Sequence, residues 1–387
     1  MISKRSIGWM GLQRGHRAKP LEWVAEKTIL VVSLSSILMV FLIFFFIGRE
    51  AMPVALGQMN SARTQKVVPV ADMDKMDPAQ LMEYLGLTQA QLASMNRETL
   101  KTLMELKVET AGETSNDKDA SVNTTQWRYL LRPHQWSGYS ESRYIWQPVS
   151  DIPKYNIVPL IIGSLKVTLV ALIFAVPLAL AAAIYVSQLA APRTREVIKP
   201  VIEMLAGIPS VVLGFFALIV MASVLQRVFG YQSRLNALGA GIALGFSVIP
   251  VVFSIAEDAL TSVPRSYVQA ALALGASQWK AASQVVLPAA LPGVFAAIAL
   301  GFGRAIGETM IVLMASGNAS IVSSSFFDST RTITATIAAE LGEVVFGGTH
   351  YRLLFLIGVL LFAVTFLTNL SADLIMHRLK TRMEGRR

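Results

Sequence analysis

The chain has 387 residues, of which 53% are hydrophobic and only 15% charged, and it contains no cysteine. Soluble domains carry about 25% charged residues, so a soluble multidomain protein, a disulfide scaffold and a thiolate metal site are excluded together. The formal charge of +9 would suit a nucleic-acid binder if it were clustered, so its distribution along the chain decides its meaning.

Residues 1–27 are basic, with Lys4, Arg5, Arg14, Arg17, Lys19 and Lys27 against two acids. Residues 28–48 are uncharged and long enough to cross a bilayer. A secretory signal has a shorter apolar core and a small-residue cleavage site, so 28–48 is expected to be an uncleaved first membrane helix. Residues 49–156 then hold twelve Lys/Arg and thirteen Asp/Glu and no spanning segment. Within them Asp77-Pro78 and Thr88-Gln89-Ala90-Gln91 open helices over about 78–107. Residues 111–126 look like a polar linker. The aromatic run 127–150 suits an interfacial segment returning to the membrane.

Five more apolar spans follow, at about 157–190, 201–225, 237–256, 289–316 and 353–373. Six spans place both termini, the 191–200 loop and the 257–288 loop on one side. Those segments carry sixteen Lys/Arg, whereas 226–236 and 317–352 carry two each. The positive-inside rule makes the basic side cytoplasmic, with 49–156 an extracytoplasmic insert and 374–387 a basic cytoplasmic tail. The +9 is an orientation signal, and no nucleic-acid partner is expected; the membrane lipid is the partner the charge faces. Spans two to five each contain a proline (Pro177, Pro209, Pro250, Pro292), which frees a backbone carbonyl that lipid cannot satisfy. Such helices are expected in the bundle interior or along a cavity. Gly239-x-Gly241-x-x-x-Gly245 and Gly301-x-Gly303-x-x-x-Gly307 are helix-packing glycines, not nucleotide fingerprints.

Segment 257–292 carries the strongest pattern. Pro264 opens a helix to Leu274, Gly275 breaks it, and a second helix runs to about Leu287 before Pro288. A helix-glycine-helix at the cytoplasmic surface can enter a groove on another protein. Gln269-Ala270-Ala271, Gly275 and Val285-x-Leu287-Pro288 resemble the E-A-A-x3-G-x9-I-x-L-P loop of bacterial ABC-importer permeases, with Gln for Glu and Val for Ile. The resemblance implies that Gln269, Ala270, Ala271, Gly275, Leu287 and Pro288 dock onto an ATPase. Ile202 to Val212 and Gly303-Arg304-Ala305-Ile306-Gly307-Glu308-Thr309-Met310 further resemble phosphate-specific permeases, with the PstC-type subunit favoured over its PstA-type sister. The resemblance covers roughly 150–375 and does not extend to the insert.

The fold implied is an all-α membrane protein of the type I ABC-importer permease class, in a bacterial inner membrane. The partners implied are a sister permease subunit, an ATPase dimer and an extracytoplasmic phosphate-binding protein. ATP-Mg belongs to the ATPase, since this chain has no G-x-x-x-x-G-K-[ST]; no cofactor, metal or catalytic residue is expected in it.

Ionisable groups inside membrane spans are costly and usually functional. Arg304 and Glu308 are spaced i,i+4 and are expected on one helix face. An arginine fork suits a phosphate oxyanion, while Glu308 either holds Arg304 or keeps the anion weakly bound; the alternative is a self-neutralising structural pair. Thr309 adds a hydroxyl. Glu203 serves as pathway residue or structural partner. Lys166 is expected to snorkel. Gly207-Ile208-Pro209-Ser210 is a candidate break in the path, with Ser210 on it. Other readings keep the fold but change the solute to sulfate, molybdate or a phosphonate. A secondary carrier lacks an evident inverted repeat, and a membrane enzyme lacks a metal cluster or nucleophile elbow. A sensing role is compatible with transport.

Overall fold

The computed structural model describes residues 20–59, 96, 98–106, 119 and 122–384. Most of the helical pair expected over 78–107 lies outside these residues, although 98–106 is helical. Among the described residues six helices are long and apolar enough to cross a membrane. They belong to α1 (Pro20–Ala55), α3 (Val158–Leu189), α5 (Ser210–Phe229), α6 (Ala237–Thr261), α8 (Gln278–Ile306) and α11 (Thr349–Glu384). Between them lie α2 (Trp127–Leu131), α4 (Pro192–Met204), α7 (Arg265–Ala273), α9 (Met310–Ala315) and α10 (Ile333–Glu340). One antiparallel ladder, β1 (Trp146–Gln147) on β2 (Lys154–Tyr155), pairs Trp146 with Tyr155.

The chain divides into two units, Met1–Arg49 and Glu50–Arg387. In the first, the apolar side chains of α1 from Val24 to Phe46 are exposed, as suits a helix that meets lipid. The second begins with the last turns of α1. Ala51 and Val54 are buried with Leu130, Trp146, Tyr155, Leu353 and Ile357.

The larger core lies between α3 and α6. Val167, Ala171, Ala175, Ala179 and Ala183 repeat every four residues along α3, and each is at most 1% exposed. A four-residue repeat of small side chains gives one flat helix face. In lipid no hydrophobic drive separates helix from solvent, so close van der Waals contact has to hold helices together. The paired glycines serve this expectation. A Cβ on Gly241 would lie 2.5 Å or less from two Val170 atoms, one on Gly245 2.6 Å from Phe174, and one on Gly301 2.5 Å from Val252.

Three expectations are corrected. The third span begins at Ser210, not 201, because 192–204 forms the separate amphipathic helix α4 with no buried residue. Arg193, Arg195, Glu196, Lys199 and Glu203 within one short helix are too many charges for lipid. Glu203 therefore lies in α4, outside the span. The second helix of the loop does not stop at Leu287; it continues into the fifth span, as one helix from Gln278 through Pro288 to Ile306. The turn Ala282–Val286 is widened into a π-turn. It contains Gln284, whose carbonyl the Pro288 ring would strike in a regular α-helix, so the wider turn accommodates the ring. Nor does that helix reach 316, since it ends at Ile306 and α9 starts four residues on. Of the four prolines only Pro250 is buried, while Pro177 is exposed and Pro209 precedes α5.

Candidate functional site

The interruption between α8 and α9 is built by three residues. Gly307 ends α8 with its N–H on the Gly303 carbonyl at 3.3 Å, and Glu308 N–H donates to Ala305 O at 3.3 Å. The Glu308 carboxylate folds back and accepts the Thr309 N–H at 3.1 Å. This satisfies one of the free donors at the start of α9. From across the bundle, Thr334 of α10 donates its hydroxyl to the Glu308 carbonyl at 2.8 Å. A break at this point thus has its backbone groups met by protein.

Arg304 and Glu308 consequently do not share a helix face. Arg304 is exposed and donates to Ser247 Oγ of α6 at 3.4 Å. Among the described residues no ion pair joins it to Glu308 or to any other carboxylate. The i,i+4 pairing fails because Gly307 ends the helix before the second residue of the pair. Ser210 opens α5 after an extended Ile208-Pro209, so the expected break at 207–210 is present. One turn beyond Ser210, Gly214 packs so closely on α9 that a Cβ would sit 2.7 Å from Met314 Sδ and 3.2 Å from Met310 O. The two breaks, at 205–209 and 307–309, therefore lead into neighbouring helices. Glu203 is exposed in the last turn of α4, just ahead of the first break.

On the 257–288 loop, α7 contains Gln269, Ala270 and Ala271 and has no buried residue. Gly275 has φ +85°, a conformation that L side chains avoid, so the turn expected there depends on glycine. Leu274 is 89% and Trp279 59% exposed. An apolar pair left open beside a small-residue helix is a contact surface. Leu287 and Pro288 lie inside α8, past its π-turn, rather than at a helix end.

Just ahead of this loop is a residue that sequence reasoning missed. Glu257, near the end of α6, has a fully buried side chain. Its Oε1 receives Arg195 at 2.6 Å and the Thr261 hydroxyl at 3.0 Å, and its Oε2 receives Lys199 at 2.7 Å. Hydrogen bonding to Glu257 raises the Lys199 ammonium above the ordinary lysine range, against the opposing effect of burial. The available signal was the i,i+4 spacing of Arg195 and Lys199, which puts two cations on one helix face.

At the opposite end of the helix bundle, the segment 127–155 is built into it. Glu340 at the end of α10 receives Arg331 at 2.6 Å, His350 at 2.8 Å and the Trp146 indole N–H at 3.2 Å. Ser320 donates to the Trp146 carbonyl at 2.9 Å. A cleft of about 700 Å³ opens between insert and outer loop, lined by Tyr139, Arg143, Tyr144, Trp146, Ser320 and Ile321 among others. Lys166 does not snorkel. Its ammonium donates to the carbonyls of Ser323 and Ser325 at 2.8 and 2.6 Å. It thereby holds the 317–332 loop against α3, while the first N–H groups of α6, at Ala237 and Leu238, donate to the Asp328 and Phe326 carbonyls of the same loop.

Part of the expected polar linker is anchored too. Thr125 and Asn123 both donate to Met59 O. Asp119 accepts the Ser137 N–H at 2.6 Å and contacts His134 at 3.2 Å. Burial alone would raise the Asp119 carboxyl, but the Ser137 and His134 contacts outweigh it and hold it below the usual carboxylate range.

A family model described as "Binding-protein-dependent transport system inner membrane component" matches residues 175–385. The chain is similar to the "Probable ABC transporter permease protein YqgH" of Bacillus subtilis, 36% identical over 222 residues, covering 57% of this chain and 72% of the relative. It is 33% identical over 256 residues to the "Phosphate transport system permease protein PstC" of Mesorhizobium japonicum, covering 61% of this chain and 77% of that one. The corresponding protein of Pasteurella multocida is 32% identical over 261 residues, at 62% and 80% coverage. Among solved structures, an inward-facing MetNI methionine ABC transporter aligns with TM-score 0.45 and 19% identity, over 58% of this chain and 95% of its own.

Proposed function

The chain belongs to the binding-protein-dependent transport system inner membrane components, and from that premise we propose that it is the PstC-type permease subunit of an ATP-driven importer of inorganic phosphate. It is a multi-pass inner-membrane protein, with both termini in the cytoplasm. An extracytoplasmic binding protein delivers phosphate to the outer loops and the insert. A dimeric ATPase, which holds ATP-Mg, grips α7 and the exposed Leu274 and Trp279. A sister permease chain of PstA type completes the path.

The observation that carries this reading is Arg304. An exposed guanidinium within a spanning helix, without a carboxylate partner, is too costly to face lipid. It requires water or another chain on that face, which is where two permease halves enclose a path. A guanidinium binds a phosphate oxyanion through two parallel N–H donors and keeps its charge at every physiological pH. Ser247 orients it. Glu308 and Thr309 supply a negative charge and a hydroxyl one turn further on, so the anion is held weakly enough to leave. Glu203 and Ser210 stand at the cytoplasmic end of the same route. Alternating access then consists of moving the two helix breaks relative to the sister chain.

The test is radiolabelled phosphate uptake in proteoliposomes holding the chain with its co-purified partners. ATP-dependent uptake that requires the binding protein and resists competition by sulfate and molybdate is expected. Uptake without an ATPase, or transport of another oxyanion in preference to phosphate, overturns the assignment.

A further inference from the structure

The ATPase contacts and the path are far apart in the chain, and covalent connection does not carry motion directly between them. A downward pull on α7 acts through residues 262–264 on the end of α6. The break at 205–209 and the start of α5 hang instead from α4. We propose that Glu257 is the positioning residue that makes α4 follow α6, so that the stroke of the coupling loop reaches the break ahead of Ser210. This rests on the permease reading above.

Three observations point there. First, both carboxylate oxygens are committed to α4, one to Arg195 at 2.6 Å and the other to Lys199 at 2.7 Å, while Thr261 fixes the carboxylate on its own helix. Second, the Glu257 side chain is fully buried. If α4 parted from α6, a desolvated charge would be left without its two cations, a penalty that apolar contacts do not impose. Apolar surfaces slide over one another, whereas short charge-assisted bonds of fixed geometry do not. Third, Ile198 and Ile202 of α4 pack on the same apolar cluster as Val263 and Val268 at the α6–α7 junction. The charges thus sit beside a shared core, and α4, the end of α6 and α7 form one body. On its far side α4 ends at Met204, and after one tight turn at Leu205–Gly207 the backbone becomes extended at Ile208-Pro209 and can bend.

The test measures phosphate uptake and ATP hydrolysis together in proteoliposomes of the complete complex. The wild type is read first, since absence of ATP-dependent phosphate uptake there would refute the permease reading and not this inference. The variants are Glu257→Gln and the triple replacement Glu257→Met, Arg195→Met, Lys199→Met. The triple variant leaves no buried charge unpaired and so keeps the packing. The expected result is hydrolysis within about twofold of wild type and phosphate moved per ATP reduced about tenfold or more in both. Glu257→Asp, which keeps the charge but shortens the reach, should fall between. An unchanged transport ratio in the triple variant would overturn the proposal, because packing alone would then carry the motion. Proportional loss of hydrolysis and uptake, or failure of the triple variant to assemble, would also overturn it, by making the cluster a folding element.

Discussion

Thr334 donates its hydroxyl to the backbone carbonyl of Glu308 at 2.8 Å, so a residue of the outer helix α10 closes the break that ends α8. Thr334 is 8% exposed, and water does not readily replace it. Thr334→Val keeps the shape and removes the donor. A lost neutral hydrogen bond of this kind costs about 1 kcal/mol, and more where the acceptor stays dry. The expected outcome is a permease that inserts and binds its partners normally but takes up phosphate several-fold more slowly, measured beside the wild type at equal protein.

Arg304 is not paired with Glu308, so neutralising the acid should not rescue loss of the base. Arg304→Gln is expected to reduce uptake by about a hundredfold, the scale on which enzymes lose rate when one hydrogen-bond donor to an oxyanion is removed. The double variant Arg304→Gln, Glu308→Gln should remain as inactive. Arg304→Lys should recover only part, since a lysine lacks the fork. Recovery of uptake in the double variant would return the pair to a purely structural role.

Gly163 of α3 lies against the outer loop, where an added Cβ would stand 2.1 Å from the Arg331 carbonyl oxygen and 2.6 Å from Thr330 Oγ1. Backbone cannot yield as a side-chain tip does. Gly163→Ala should lower stability by about 1–3 kcal/mol, the range for overpacking. It should shift the melting temperature in detergent downward, and it should displace the Arg331–Glu340 pair at the same time. A melting temperature equal to wild type would mean that the loop has room to move.

Asp119 supplies a pH dependence with a definite sign. Its carboxyl lies below its ordinary value in the folded chain, so folding is favoured by the charged form. The contribution is fully present above the unfolded value of 3.8 and is lost as pH falls through the lower folded value. Acidification well below that unfolded value should therefore release the 119–137 contact, read as faster hydrogen exchange at the Ser137 amide. Asp119→Asn should remove that dependence and exchange quickly at neutral pH.

Six spanning helices and the glycine-hinged loop at 257–288 were legible because each is a local property. Span length and the left-handed turn at Gly275 are set by residues near one another in the chain. The motif residues Gln269 to Gly275 fell where the sequence placed them for the same reason. What the sequence did not decide was which polar groups meet. Arg304 and Glu308 look like a helical pair until Gly307 ends the helix, and that break persists because Thr334, 26 residues later, satisfies the freed carbonyl. Lys166 looked free to snorkel until the loop at 323–325 brought two carbonyls to it. Glu257 looked like the first residue of a loop, and only the packing of α4 on α6 buried it against Arg195 and Lys199. A hydrogen bond or ion pair needs both partners within about 3 Å, and for residues 58 to 157 positions apart only the tertiary structure brings them there.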